Sequence, residues 1–277
     1  MKRDMILLLC WNAYGDFLNY NGMVRFLLDY FDKVCVRVDG FDGYLNDMFK
    51  DVSDRVEFVC SNAAMNMVMS NKRLPVLNAV QIVDFNETGV TSKTDSADLK
   101  EYVLPELYFN GKNQIVDALG ISKEGRGLEI EYVDNASNFY INLGINPKTR
   151  YERFYYERND EEEERISKEI KKQSGIDGEY IITSDTSSSG IKNEFKTGTI
   201  ININYCTDKP LRISRLLEGA KEIHLIDNSN TLFLYYMCMS SLIKLNNVTV
   251  HIYSRNRFEY YYRMFMNPHA IGWKYIM

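Results

Sequence analysis

Three short stretches combine residue types and spacings that could do chemistry. In KEIHLIDNSNTLFLYYM an apolar run, Ile223 to Ile226, ends in Asp227, and a polar turn of Asn228, Ser229 and Asn230 opens an apolar helix. Such a turn offers backbone N–H groups, short hydroxyl and amide side chains and the positive end of a helix dipole, which together suit a phosphate or diphosphate. Asp227 or Ser229 could equally cap the helix, and the two roles are compatible. In YIITSDTSSSGIKN a strand end runs into Ser184, Thr186, Ser187, Ser188, Ser189, Gly190 and Lys192. A Ser/Gly turn with one lysine can cradle phosphates, but it lacks the glycine pattern of a P-loop, and plain surface loops share its composition. In ILLLCWNAYGDFLNYNG, Gly15 is expected to turn the backbone tightly after a strand, and Asp16 to stand at a helix entrance. There a carboxylate could accept a proton from an attacking hydroxyl, or simply cap the helix.

Several motifs are missing. The chain contains no HExxH, G-x-S-x-G, G-x-G-x-x-G or D-x-D, the signatures of zinc proteases, serine hydrolases, dinucleotide binding and metal-dependent nucleotide-sugar chemistry. His224, His251 and His269 are dispersed in sequence, His224 reads as a satisfied structural histidine within a strand, and no metal site is expected. The cysteines Cys10, Cys35, Cys60, Cys206 and Cys238 are odd in number without a CxxC pair, so they read as reduced and buried rather than as disulfides or zinc ligands.

The elements that must position these residues alternate. After the first strand, Val24, Leu27, Leu28 and Phe31 recur at helical spacing, and Lys33 to Val38 forms the next strand. This β-α-β order implies parallel strands with a right-handed crossover. A helix around Asp47 to Phe49, a strand at Val56 to Val59, a helix at Asn62 to Met69 and a strand at Val76 to Val83 continue the pattern. The polar stretch Thr88 to Asp98 reads as a surface loop, beside a substrate cleft or simply solvated. The run RNDEEEERISKEIKKQSG predicts an exposed helix, capped by Asn159 with Glu162 reaching back and stopped by Gly175. Glu161 to Glu164 are expected to be solvated and to pair at four-residue spacing with Arg165 and Lys168. From Glu179 strands and helices alternate again. The final NRFEYYYRMFMNPHAIGWKYIM is expected to be helical to about Met266, with Trp273 packing back on the protein.

The expected architecture is therefore α/β, with two Rossmann-like domains, residues 1–150 and 151–277, whose parallel sheets face a central cleft. The net charge of -5 and the absence of a dense basic patch argue against a nucleic-acid partner. The opening MKRDMILLLCW has an apolar stretch too short for a leader, with an acidic residue before it and no cleavage site after it, so it reads as a buried strand. No window approaches the roughly 18 apolar residues of a membrane span. The expected location is cytoplasmic or peripheral to a membrane.

In this order a GD pair after the first strand, a polar loop with a basic residue opening the second half, and a strand ending in I-D-x-S before an apolar helix resemble glycosyltransferases of the two-Rossmann GT-B class. Within that class the pattern resembles the heptosyltransferase-like enzymes and the uncharacterised glycosyltransferase-like proteins of large DNA viruses and environmental microbes. The resemblance implies a nucleotide-sugar donor, a glycan or glycolipid acceptor, and transfer without metal or cofactor. It makes Asp16, beside Gly15, the base that deprotonates the acceptor. It assigns Asp227, Asn228 and Ser229 to donor sugar and diphosphate, and Lys192 to the diphosphate. Because the serine run departs from the family pattern, that last role could pass to Ser188, Ser189 or Arg158. Arg153 and Arg158 in YERFYYERN read as cleft arginines or as surface arginines whose stems pack on the protein. The alternative is a non-catalytic nucleotide-sugar or glycan-binding protein that retains the fold.

Overall fold

The computed structural model describes residues 3–9, 14–39, 43–71, 74, 76–78, 140, 145–146, 148–184, 195, 197–204, 210–226, 228–253 and 273–276. The chain divides into two compact units, Met1–Phe154 and Tyr155–Met277.

The first unit is built on β1 (Arg3–Leu9), α1 (Tyr14–Leu27), β2 (Phe31–Val38), α2 (Tyr44–Met48), β3 (Val56–Cys60), α3 (Ser61–Ser70) and β4 (Val76–Asn78). Its four strands lie in the order β3-β2-β1-β4, every pair parallel. Ile6, Leu7 and Leu8 are all fully buried, as expected where both faces of a parallel sheet are covered. On one face Leu7, Cys35, Val59, Ala64 and Leu74 form a cluster joined by Met67 of α3. Burial pushes the Cys35 thiol up to about 11, so that thiol is inert packing. Cys60, expected to be buried, is exposed at the end of β3.

The first helix ends at Leu27, and Phe31 opens β2 instead of continuing the helical face. Arg55 stabilises that turn by donating to the carbonyls of Phe31 (2.8 Å) and Asp32 (3.1 Å). Arg25 ties α1 to the short helical turn at Lys50–Val52 by a two-pronged pairing with Asp51 at 2.8 and 2.9 Å. A fourth helix, α4 (Thr149–Glu152), packs on α1 at Gly22. A Cβ at Gly22 would lie 2.5 Å from the Thr149 carbonyl oxygen and 2.7 Å from the Arg150 Cα.

The second unit contains α5 (Asp160–Gln173), β5 (Ile181–Thr183), β6 (Ile200–Asn202), α6 (Ser214–Glu218), β7 (Glu222–Ile226), α7 (Ser229–Met239), β8 (Thr249–Tyr253) and β9 (Trp273–Ile276). Its order is β6-β5-β7-β8-β9, again all parallel. The α/β class with two parallel sheets is thus the one expected from the alternating pattern. Trp273 does pack, against Tyr235 of α7, but as the start of a fifth strand rather than of a returning tail. Val250 and His251 of β8 pair with Trp273 and Lys274.

The acidic helix α5 forms with Asn159 accepting from the Glu162 amide at 3.0 Å, and ends at Gly175, whose φ of 66° is left-handed. Lys168 pairs with Glu164, while Arg165 reaches forward to Glu169 rather than back to Glu161. The expectation of a wholly solvated acidic run fails at Glu163, which is fully buried because Arg158 lies against it.

We predict that Gly22→Ala lowers stability by about 1–3 kcal/mol, because the added methyl meets helix backbone that cannot move aside, outweighing the roughly 1 kcal/mol that alanine gains in helix propensity. A thermal melt of the variant showing an unchanged or higher Tm would refute this α1–α4 contact.

Candidate functional site

In parallel sheets every strand delivers its carboxyl end to the same edge, and ligands of open α/β folds bind where the strand order reverses. The second unit reverses between β5 and β7. There the end of β5 supplies Ser184, the turn after β6 supplies Asn204, and the start of α7 supplies Asn228 and Asn230. Ser184, fully buried, donates from Oγ to Asn204 Oδ1 at 2.8 Å and accepts from Asn228 Nδ2 at 2.7 Å. Asn230 Nδ2 donates to the same Asn204 Oδ1 at 3.1 Å. Four polar side chains from three separate segments thus form one hydrogen-bonded group at the reversal point.

Asn228 is the cap of α7, in place of Asp227 or Ser229. Its Oδ1 accepts from the amides of Asn230 (2.9 Å) and Thr231 (3.4 Å), and Thr231 Oγ1 closes the turn onto the Ile226 carbonyl at 2.6 Å. Capping therefore takes up two first-turn amides. An anion at this helix end must compete for them or rely on side chains and the dipole. Ser229 is the first residue of α7 and half-buried. Asp227, Ser188, Ser189 and Lys192 lie outside the described residues.

In the first unit Asp16 sits in the first turn of α1, half-buried, at the carboxyl edge of β1. Gly15 is the second residue of the helix and buried, so it lies within α1 and does not make the expected turn. The same edge holds a group that sequence reading missed. Arg37 of β2 donates from Nε to Ser61 Oγ at 3.0 Å, and Asp39 accepts from both Arg37 and Ser61. Arg153 is far from this edge. It pairs with Asp29 at 2.7 Å, beyond the C-terminus of α1, whose 14 residues span about 21 Å.

Arg158 is committed to structure. It donates from Nε and Nη2 to Glu163, with 2.6 Å for the shortest contact, from both terminal nitrogens to Glu218 at 2.9 and 3.1 Å, and from Nη1 to the Leu242 carbonyl at 2.8 Å. Burial lowers the hold of this guanidinium on its proton, but bonds to the two carboxylates reverse that and hold the proton well above its usual range. Burial pushes the Glu163 carboxyl up while Arg158 opposes it. With two guanidinium nitrogens on that carboxylate, we read the pair as ionised.

The structure also joins two histidines that stand 27 positions apart in sequence. His224 and His251 are register partners on β7 and β8, and their rings stack at 4.2 Å with 5° between planes. Phe195 covers the other face of His224 at 3.8 Å. His224 Nδ1 lies 2.8 Å from Tyr253 Oη, and its Nε2 3.1 Å from Glu222 Oε2. Burial keeps His224 below its usual value despite Glu222, while the hydrogen bond to His224 lowers Glu222. Dispersal along the sequence does not suggest a shared site for these histidines, yet parallel pairing of β7 with β8 brings His224 and His251 together.

No family profile matches the chain, and no curated protein does. The solved structure described as the crystal structure of the glycosyl transferase family 9 from Veillonella parvula DSM 2008 superposes on the whole chain and on 87% of its own length, with a TM-score of 0.53 and 10% identity. At that identity the likeness shows a common fold, the GT-B type built from two Rossmann-like α/β units. Among the described residues no helix is long and apolar enough to cross a membrane.

Removing the guanidinium from Arg158 leaves Glu163 buried and unpaired. Arg158→Ala should therefore cost about 3–5 kcal/mol, read as a lower midpoint in denaturant. A loss of under about 1 kcal/mol would return Arg158 to the pool of ligand-binding candidates.

Proposed function

We propose that this chain is a glycosyltransferase that moves a sugar from a nucleotide-diphosphate sugar to a hydroxyl of a glycan or glycoconjugate. The observation that carries the reading is the hydrogen-bonded group of Ser184, Asn204, Asn228 and Asn230 at the reversal point of the second unit's sheet, in a chain with the GT-B fold. Carboxamides and a hydroxyl at a strand edge are suited to sugar hydroxyls and phosphate oxygens, because they can both donate and accept. The second unit takes the donor, with Asn228, Ser229 and Asp227 at the start of α7 and with Ser188, Ser189 and Lys192 from the segment that follows β5 in the sequence. The first unit takes the acceptor.

Asp16 accepts the proton of the acceptor hydroxyl as its oxygen attacks the anomeric carbon. The bond from that carbon to the diphosphate oxygen breaks, and the departing diphosphate is stabilised by the α7 dipole and by Lys192. Side chains and dipoles carry out this stabilisation, so the transfer as proposed needs no metal.

A thermal-shift screen of nucleotide sugars tests the donor, since a ligand that binds only the folded chain raises its melting temperature. One donor class should give a shift, and Asn204→Ala should weaken that donor's affinity about 10-fold, the loss of one good hydrogen bond. Asp16→Asn should then cut transfer by about 10² to 10⁴-fold with the donor-induced shift unchanged. Normal turnover by Asp16→Asn rules out the base assignment. Binding without turnover or hydrolysis in the parent chain would make it a nucleotide-sugar-binding protein instead.

A further inference from the structure

We propose that Glu222, His224 and His251 form a binding site for a divalent transition-metal ion of the zinc type on the second unit's sheet, separate from the carboxyl edge where transfer is placed. The three residues present ligand atoms that all lie within 4.8 Å of one another. Glu222 Oε2 stands 3.1 Å from His224 Nε2 and 3.9 Å from His251 Nε2. Ligand atoms each about 2.0–2.2 Å from a shared zinc stand roughly 3.2–3.6 Å apart in tetrahedral geometry, so the two Glu222 distances already bracket that range and the change binding requires is a turn of the rings. Two imidazoles and one carboxylate suit zinc, nickel or copper better than the oxygen-seeking magnesium or calcium.

The surroundings resemble the support that metal-binding histidines require. His224 Nδ1 reaches Tyr253 Oη at 2.8 Å, which fixes the ring and leaves Nε2 to face Glu222. Phe195 packs on the ring from the other side. The entry path runs along Glu222, a third exposed, and His251, 15% exposed. On binding, the neutral His224 ring changes tautomer with no net change in protons: its single proton passes through solvent from Nε2, which turns to the metal, to Nδ1, which then donates to Tyr253 Oη. The rings must also turn out of parallel, because an ion has to lie in the plane of each imidazole and planes 5° apart with centroids 4.2 Å apart share no such point. The His224 carbonyl accepts from the Ser184 amide at 3.0 Å, so the ion site adjoins the carboxyl-edge group through the backbone, while its side-chain ligands are distinct from Ser184, Asn204, Asn228 and Asn230 and the ion organises the sheet face.

The chain has three histidines, His224, His251 and His269, which makes the test direct. Long-range proton–nitrogen spectra of the labelled full chain are recorded with one equivalent of Zn²⁺, in the parent and in His269→Gln. The expected result is that both imidazoles remaining in His269→Gln shift at Nε2, and that Zn²⁺ raises the melting temperature of the parent but not of Glu222→Gln. Mg²⁺ in excess should not reverse either effect. No shifted imidazole, a single shifted imidazole, or an equal thermal shift in Glu222→Gln overturns the proposal. Because the readouts are imidazole spectra and stability, they stand apart from the outcome of the transfer assays.

Discussion

Parallel pairing is the constraint on which the rest of the structure depends. In a parallel sheet successive strands point the same way, so each must be followed by a return segment, and every strand's last residue arrives at one edge. In the second unit this brings Ser184, Asn204 and Asn228, separated by 20 and 24 positions, within hydrogen-bond reach. In the first unit it brings Arg37, Asp39 and Ser61 together in the same way. The polar residues are adjacent because the apolar runs behind them align. Ile182 pairs with Ile223 and Ile223 with Val250, and that register carries the functional edge with it.

The same pairing accounts for the histidine stack. Side chains alternate faces along a strand, so Glu222, His224 and Ile226 share one face of β7 while Ile223 and Leu225 share the other, and in β8 His251 and Tyr253 align with His224 and Ile226. The connection from β5 to β6 runs opposite in direction to those joining β6 through β9. Phe195, which lies between β5 and β6 in the sequence, stacks on His224 and so covers the face of β7 that carries Glu222 and His224. A polar face is thus tolerated where no described helix covers it.

Charge is handled by saturation rather than exposure in the second unit. Glu163 stands in a run of acidic residues that composition alone marks as solvated, yet it is buried because Arg158 offers its nitrogens to Glu163, Glu218 and a carbonyl at once. Arg212, 2% exposed, reaches Glu162 at 3.3 Å from the neighbouring segment. Together these pairs fasten α5 to α6 and to the end of α7. Arg158 accordingly serves packing, although its position near the start of the second unit made it a candidate for the site.

The sequence by itself determined the class and the order of elements. Runs such as ILLLC are too apolar for a strand with a solvated face, and the alternation of strand-like runs with helical spacing admits little besides parallel α/β units. The cap at Asn159 and the stop at Gly175 were legible as well, because capping is local and depends on residues only a few positions apart. The polar turns after β5 and β7 were visible as strand ends, and Asp16 as a helix-entrance carboxylate. Tertiary structure alone decided what depends on sheet order: the place of Asn204 in the site, the meeting of His224 with His251, the strand formed by Trp273–Ile276 and the burial of Glu163. Each is a contact between segments distant in sequence, set by which strand lies beside which, and the one-dimensional pattern of polar and apolar residues carries no record of that neighbour.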